Sequence, residues 1–272
     1  MYNTFALCIV TYYPNEDIYT RIKGYLEFGN TIYVWDNTPN GDTIFHNHKE
    51  NNLVILGTGI NVGIGFALNK LLNQIHSDGF RLALYFDQDT LFTVKSLQWI
   101  QNWSSHNEAT IKDTAVLNFK PNVSENEIEQ FELRTVYLVI SSCSLFNLEI
   151  IRKIGWHNPK LFLECVDYEL CARAHFSHFK ISLVSGCPGL DHDKLQPNNS
   201  VSILNRKFKY RQYSINRNFN FTYNLLKLSL QSLFKGYLML SWCFLRNVIT
   251  HLLSQTRASL FTAINLLTVR KS

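Results

Sequence analysis

The stretch Leu82-Ala-Leu-Tyr-Phe-Asp-Gln-Asp-Thr90 limits what this chain can fold into more than any other. Leu82 to Phe86 are apolar without a break, and the run ends in two carboxylates, Asp87 and Asp89. A short run that is apolar on both faces fits a central strand of a parallel sheet covered by helices. In open α/β sheets, ligands bind just beyond the carboxyl ends of such strands. In extended chain Asp87 and Asp89 point the same way, and adjacent carboxylates repel unless a positive group lies between them. A divalent cation meets that need, because Mg²⁺ takes one or two carboxylates together with substrate phosphates. The other reading is a solvated polar strand end.

The neighbouring segments support an α/β pattern. Phe5–Val10, Thr31–Trp35 and Leu53–Leu56 read as strands, with Thr11-Tyr-Tyr-Pro-Asn15 and Thr38-Pro-Asn-Gly41 as turns. Asp17–Phe28 has a helical apolar period, and Asn61-Val-Gly-Ile-Gly-Phe-Ala-Leu-Asn69 opens a helix running to about Gln74. Strands alternating with helices predict a mainly parallel sheet. Beyond it, Trp99 onward reads as helix and Ala115–Phe119 as strand. Pro121–Arg134 reads as an exposed loop or a pair of edge strands, and Val136–Ser142 as a strand. Leu148–Ile154 is a short helix ending at Gly155, Phe162–Phe176 a helix, Ile181–Val184 a last strand, and Gly186–Asn199 a loop.

Composition changes at Val201. The formal net charge of +5 conceals eleven Lys/Arg and no Asp or Glu from Val201 to Ser272, leaving 15 basic against 21 acidic residues before it. The expected division is residues 1–200 as one domain and 201–272 as a basic, aromatic, helical extension. Leu225–Val269 is Leu-rich and helical, and its uncharged run Gly236–Leu245 is short of the ~20 residues a membrane span requires. An acid-free amphipathic segment suits an anionic membrane surface or a second subunit of a homodimer. The six cysteines lie mostly in apolar surroundings, and Met1 leads straight into a strand pattern, so reduced thiols in a cytoplasmic protein are expected. Cys165, Cys171, His175 and His178 lack the short spacing of a zinc site.

Glycines at 57, 59, 63 and 65 do not match a dinucleotide fingerprint, because the third glycine would fall at Val62. Two roles stay open for them: backbone N–H groups at a helix start for a phosphate, or tight helix–sheet packing. Val10-Thr-Tyr-Tyr-Pro14, Val34-Trp-Asp-Asn37, Asn61–Asn69 and Phe86-Asp-Gln-Asp89 follow one another as in family 2 glycosyltransferases, which this chain resembles. The Asp-Gln-Asp form, Phe162-Leu-Glu-Cys-Val-Asp-Tyr-Glu-Leu-Cys-Ala-Arg173 and Tyr210-Arg-Gln-Tyr…Arg217-Asn218 are similar to the branch that transfers rhamnose onto bacterial polysaccharides.

The resemblance covers roughly residues 5 to 220 and implies a GT-A fold: α/β, with a mostly parallel central sheet flanked by helices and a helical C-terminal extension. It implies an inverting hexosyltransferase using Mg²⁺ or Mn²⁺. The donor would be a nucleotide-diphospho-sugar, dTDP-L-rhamnose. The acceptor would be a polyprenyl-diphosphate-linked oligosaccharide in O-antigen or other surface polysaccharide synthesis, at the inner face of the cytoplasmic membrane. No nucleic-acid partner is expected. Asp167 would be the catalytic base. Thr11, Tyr13, Asp36, Asn61, Gly63, Asn69, Asp87, Gln88, Arg211 and Arg217 would serve the donor. Glu164, Glu169 and Ser142 would face the acceptor, and Asp89, Asp87 and His192 the metal. Glu164 and Asp167, three apart on a helix, would couple and raise one pKa. One departure stands out: the branch has Ser-Gly where this chain has Ser142-Cys143.

Two alternatives remain. A nucleotidyltransferase shares such a sheet and paired acids, but the loop after its first strand is basic and Gly-rich, whereas Thr11–Asn15 holds no Gly, Lys or Arg. A non-catalytic carbohydrate-binding protein on the same fold would have no use for Asp87, Asp89 and Asp167 together.

Overall fold

The apolar runs before Pro121 become strands of one sheet. The structure, a computed structural model, describes residues 5–41, 45, 50–121, 132–192, 199–203 and 206–269. It divides into two units, Met1–His192 and Asp193–Ser272. The first begins with β1 (Ala6–Thr11), α1 (Glu16–Glu27), β2 (Ile32–Asp36), β3 (Leu53–Gly57), α2 (Gly63–Ser77) and β4 (Leu82–Asp87). It continues through β5 (Thr90–Leu91), α3 (Val94–His106), α4 (Glu108–Lys112), β6 (Thr114–Pro121), β7 (Glu132–Thr135) and β8 (Ser144–Asn147). It ends with α5 (Leu148–Ile154), α6 (Val166–Phe176), β9 (Lys180–Cys187) and β10 (Asp191–His192).

The main sheet has the order β3-β2-β1-β4-β8-β6-β9-β7. From β1 the chain winds outward through β2 to β3, then returns to the other side of β1 with β4. All three pairings on this side are parallel. The reversal makes a topological switch point between β1 and β4, where a crevice opens beyond the strand ends. Register sets what borders it: Val10 pairs with Asp87 and Thr11 with Asp36. Alternating side chains of β1 feed opposite layers. Leu7 and Ile9 pack with Ile18, Ile22 and Tyr25 of α1, while Ala6, Cys8 and Val10 join Leu68, Leu71 and Ile75 of α2.

Three expectations need correction. Val136–Ser142 is not a strand; the strand is β8, antiparallel between β4 and β6. The cause is Asn118, whose side-chain amide donates to the Ile140 and Ser142 carbonyls and to Ser144 Oγ. These bonds curl the segment off the ladder. Second, the helix expected from Phe162 starts at Val166, because Cys165 before it is in the left-handed region at φ 64°. Third, β9 is not the last strand: Gly186–Asn199 holds β10, and a hairpin follows in the second unit. Of Pro121–Arg134, only β7 and Pro121 lie within the described residues.

The glycine question resolves toward packing. A Cβ on Gly65 would overlap the Leu161 carbonyl and lie 2.5 Å from that of Asn158, and one on Gly63 would overlap Phe162. Ile64 N–H donates to the Phe162 carbonyl at 2.6 Å, and Gly63 N–H to Asn61 Oδ1 at 3.0 Å. The start of α2 is therefore held by the chain's own 158–162 segment. Cys143 has φ 61°, a conformation that favours glycine, which accounts for the Gly of the resembled branch at this place.

The second unit holds a hairpin, β11 (Asn199–Ile203) with β12 (Arg206–Tyr210), then α7 (Ile215–Phe234) and α8 (Leu238–Val269). Gly236, at φ 82°, turns one helix into the next. Leu225, Leu228 and Ser232 of α7 are buried, as are Leu240, Phe244 and Val248 of α8, and Ser229 bonds to Ser241 at 3.0 Å. All six cysteines are free thiols.

Gly65→Ala gains helix propensity of up to about 1 kcal/mol but must displace backbone. Overpacking costs about 1–3 kcal/mol. The variant should melt several degrees below wild type in a calorimetric scan; an equal or higher Tm would remove the packing account.

Candidate active site

Asp-Gln-Asp does not stay extended. Asp87 ends β4, while Gln88 and Asp89 form a turn before β5. The shared orientation expected of the two acids on one strand is therefore replaced by a turn with its own supports. Arg21 on α1 donates through Nη2 to the Gln88 carbonyl and through Nη1 to the Thr90 carbonyl, each at 2.7 Å. Gln88 in turn grips the loop after β1: its Oε1 accepts from Tyr12 N–H at 2.9 Å, and its Nε2 donates to the Tyr12 carbonyl at 3.3 Å. Asp89 is left exposed. The backbone of His192 pairs with Thr90 across β10 and β5, beside this turn.

Thr11, Tyr13, Asp36, Asp87 and Gln88 gather at the carboxyl ends of β1, β2 and β4. Thr11 is fully buried, its hydroxyl without a partner among the described residues. Asp36 is buried and accepts from Thr38 N–H at 2.9 Å, and Thr38 Oγ1 accepts from Tyr13 N–H at 2.9 Å. The ring of Tyr13 is exposed and meets that of Tyr12 edge-on at 4.6 Å. Asn37 Oδ1 accepts from Val62 N–H at 3.2 Å, tying β2 to the start of α2. Asn69 on α2 donates to the His157 carbonyl at 2.7 Å. Arg211 and Arg217 belong to the second unit, where both guanidinium groups lie over the Tyr213 ring.

Asp167 sits in the first turn of α6 and accepts a short hydrogen bond from Ser141 Oγ. Its carboxyl is raised from 3.8 to about 6, first by burial and then by the charges of Asp87 and Glu164; the Ser141 bonds oppose the rise. Asp87 thus outweighs Glu164, which lies before the helix and not on it. On the β4 side, Tyr85 donates to Asp87 Oδ1 at 2.7 Å, and burial with the Asp87 charge keeps that phenol protonated.

The remaining predicted residues act as supports. Glu169 is held in a fork by Arg173 (2.8 and 2.9 Å), and the same guanidinium donates to the carbonyls of Ile154, Gly155 and Trp156. Glu169 therefore anchors the loop leading to Asp167. Ser142 is buried between Asp87 N–H (3.2 Å) and Thr90 Oγ1 (2.8 Å); the hydroxyl that reaches Asp167 belongs to Ser141. Sequence reasoning missed Arg21, Tyr85, Asn118 and Ser141.

No group of three or more His, Cys, Asp or Glu is gathered for a metal among the described residues. An all-protein cage is thus not formed there. The residues fit a cation of the Mg²⁺ kind, which needs only one or two carboxylates when phosphates complete its shell. Asp89 and Asp87 would be those carboxylates.

An acid with a raised folded pKa contributes stability that is present below its unfolded value and lost as pH rises through its folded value. Asp167→Asn removes that loss while keeping an acceptor for Ser141. Its melting temperature should match wild type below pH 3.8, exceed it increasingly as pH rises from there to about 6, and keep a constant lead above that. A difference that is flat or shrinks between those two values would contradict the assignment.

No family model and no curated protein matches the chain. Solved structures share its architecture. TarS of S. aureus is 16% identical, over 84% of this chain and 39% of that one, with a TM-score of 0.58. TarS 1-349 in complex with UDP-GlcNAc is 13% identical, over 84% of this chain and 66% of that one, with a TM-score of 0.54. This chain therefore spans less than two thirds of the proteins it is similar to, and at such identities the likeness speaks for the fold alone. Together with the switch-point sheet, it shows a GT-A fold, the fold of these glycosyltransferases, with a mostly parallel central sheet flanked by helices.

Proposed function

We propose that the chain transfers a sugar from a nucleotide-diphospho-sugar to an acceptor hydroxyl, with inversion. One observation carries this reading: a half-buried carboxyl of raised pKa, Asp167, stands near the acidic turn at the switch point of a GT-A sheet. Asp87 and Asp89 would hold a Mg²⁺ or Mn²⁺ ion on the donor diphosphate. Bound there, the ion would neutralise charge developing on the leaving group. Asp36 and the exposed Tyr13 ring suit the base of a pyrimidine nucleotide, and UDP-GlcNAc, bound by TarS, is a nucleotide sugar of that class.

Asp167 has the opposite task. As the acceptor oxygen bonds to the anomeric carbon and the bond to diphosphate breaks, the acceptor proton passes to the Asp167 carboxylate. A base whose pKa is near working pH suits this step. The carboxyl must be ionised, so transfer should rise through about pH 6 and level off above it. The motifs favour L-rhamnose from dTDP-L-rhamnose as donor, and a polyprenyl-diphosphate-linked oligosaccharide at the cytoplasmic membrane face as acceptor.

A thermal-shift panel of UDP- and dTDP-sugars with Mg²⁺ or Mn²⁺, followed by transfer assays, tests the reading. Asp89→Ala should abolish the cation-dependent shift and leave the unliganded Tm unchanged. Asp167→Asn should keep the shift but lower turnover by at least ~10²-fold, the low end for loss of a general base. Glu169→Gln should chiefly lower Tm, through the Arg173 fork. Donor binding that ignores EDTA, or near-normal turnover in Asp167→Asn, would overturn the proposal.

A further inference from the structure

The second unit carries an apolar surface that its own fold does not use. On α7, Ile215, Phe219, Tyr223, Leu226, Leu230 and Leu233 are exposed at spacings of three and four, so they form one stripe. Its first residue is 85% exposed. This stripe is distinct from the buried one of Leu225, Leu228 and Ser232, so α7 has two apolar faces and a polar strip of Asn220, Asn224 and Gln231. On α8, Leu238, Trp242, Leu245, Ile249 and Leu253 repeat the pattern, again apart from the buried Leu240, Phe244 and Val248. Exposed apolar stripes of this length mark an interaction site.

Charge identifies the partner. Lys227 on α7 and Arg246 and Arg257 on α8 are exposed and flank the stripes, and no Asp or Glu occurs from Val201 to the C-terminus. A second copy docked on this face would set cations against cations with no acid to pair them. A lipid surface bearing anionic headgroups supplies the missing charge. Its boundary layer accepts Leu and Ile below, and Trp and Tyr at headgroup depth. Among the described residues no helix is long and apolar enough to cross a membrane, so the stripes would lie along the surface. We infer that the α7–α8 stripe is an in-plane docking surface for an anionic bilayer, with Trp242 and Leu253 buried in it and Lys227 and Arg246 at the headgroups.

The inference rests on the second unit alone and does not depend on sugar transfer. The test is flotation of the full chain with phosphatidylcholine vesicles, with and without phosphatidylglycerol. Wild type should float with the anionic vesicles and partition at least ~tenfold more weakly onto neutral ones or at high salt. Trp242→Glu with Leu253→Glu should cut binding by at least ~tenfold, since charge on the apolar face opposes insertion. Lys227→Ser with Arg246→Ser should cut only the anionic preference. Both pairs are exposed, so unchanged far-UV circular dichroism and melting would show the fold intact. Asp167→Asn should float as wild type does, separating this surface from catalysis. No flotation, flotation unaffected by the Glu pair, or a dimer dissolved by that pair without vesicle binding would each overturn the inference. The last result would assign the face to a second copy.

Discussion

The site depends on bringing two like charges to one end of a sheet and holding them there. Asp87 comes from β4, in the middle of the sheet, and Asp167 from the first turn of α6. Their repulsion, added to burial, lifts Asp167 to about 6. Tyr85 donates to Asp87, and Ser141 donates to Asp167 through its side chain and its backbone, which opposes the rise without cancelling it. A carboxyl whose charged form is penalised by burial and by a like charge costs folding energy, and such arrangements concentrate where chemistry needs them.

Supports of opposite character keep the arrangement from relaxing. At the end of β4, Arg21 fixes the turn through the Gln88 and Thr90 carbonyls. On α6, Arg173 uses Glu169 and three carbonyls to brace the 154–156 segment. Gly63 and Gly65 then let the 158–162 segment close on α2. Both arginines bind main-chain carbonyls, so they brace the segments that carry Asp87 and Asp167.

Much of this was legible in the chain. Leu82–Phe86, apolar on both faces, fits the central strand it forms, and the end of that strand borders the crevice. Asp87 is legible as the acid that ends this strand, whereas Asp36, Gln88 and Asp167 enter only through motif resemblance. The helix start was misplaced because Glu164 and Asp167 keep a helical spacing even though Cys165 breaks the helix between them. Arg21 and Ser141 were invisible for another reason: their bonds reach partners 67 and 26 residues away or more, and such contacts leave no local period. Glu169 is bonded to Arg173, and Ser142 to Asp87 N–H and Thr90, contacts that residue type alone does not reveal.

Burial and the Asp87 charge together hold the Asp167 carboxyl at about 6. Carboxyl-carbon NMR of the full chain, with Asp167 assigned through the Asp167→Asn variant, measures this directly. In wild type its midpoint should lie at about 6, and in Asp87→Asn it should fall toward, but not reach, 3.8, because burial persists. A midpoint near 3.8 in both proteins, or one that does not move when Asp87 is neutralised, would contradict the account.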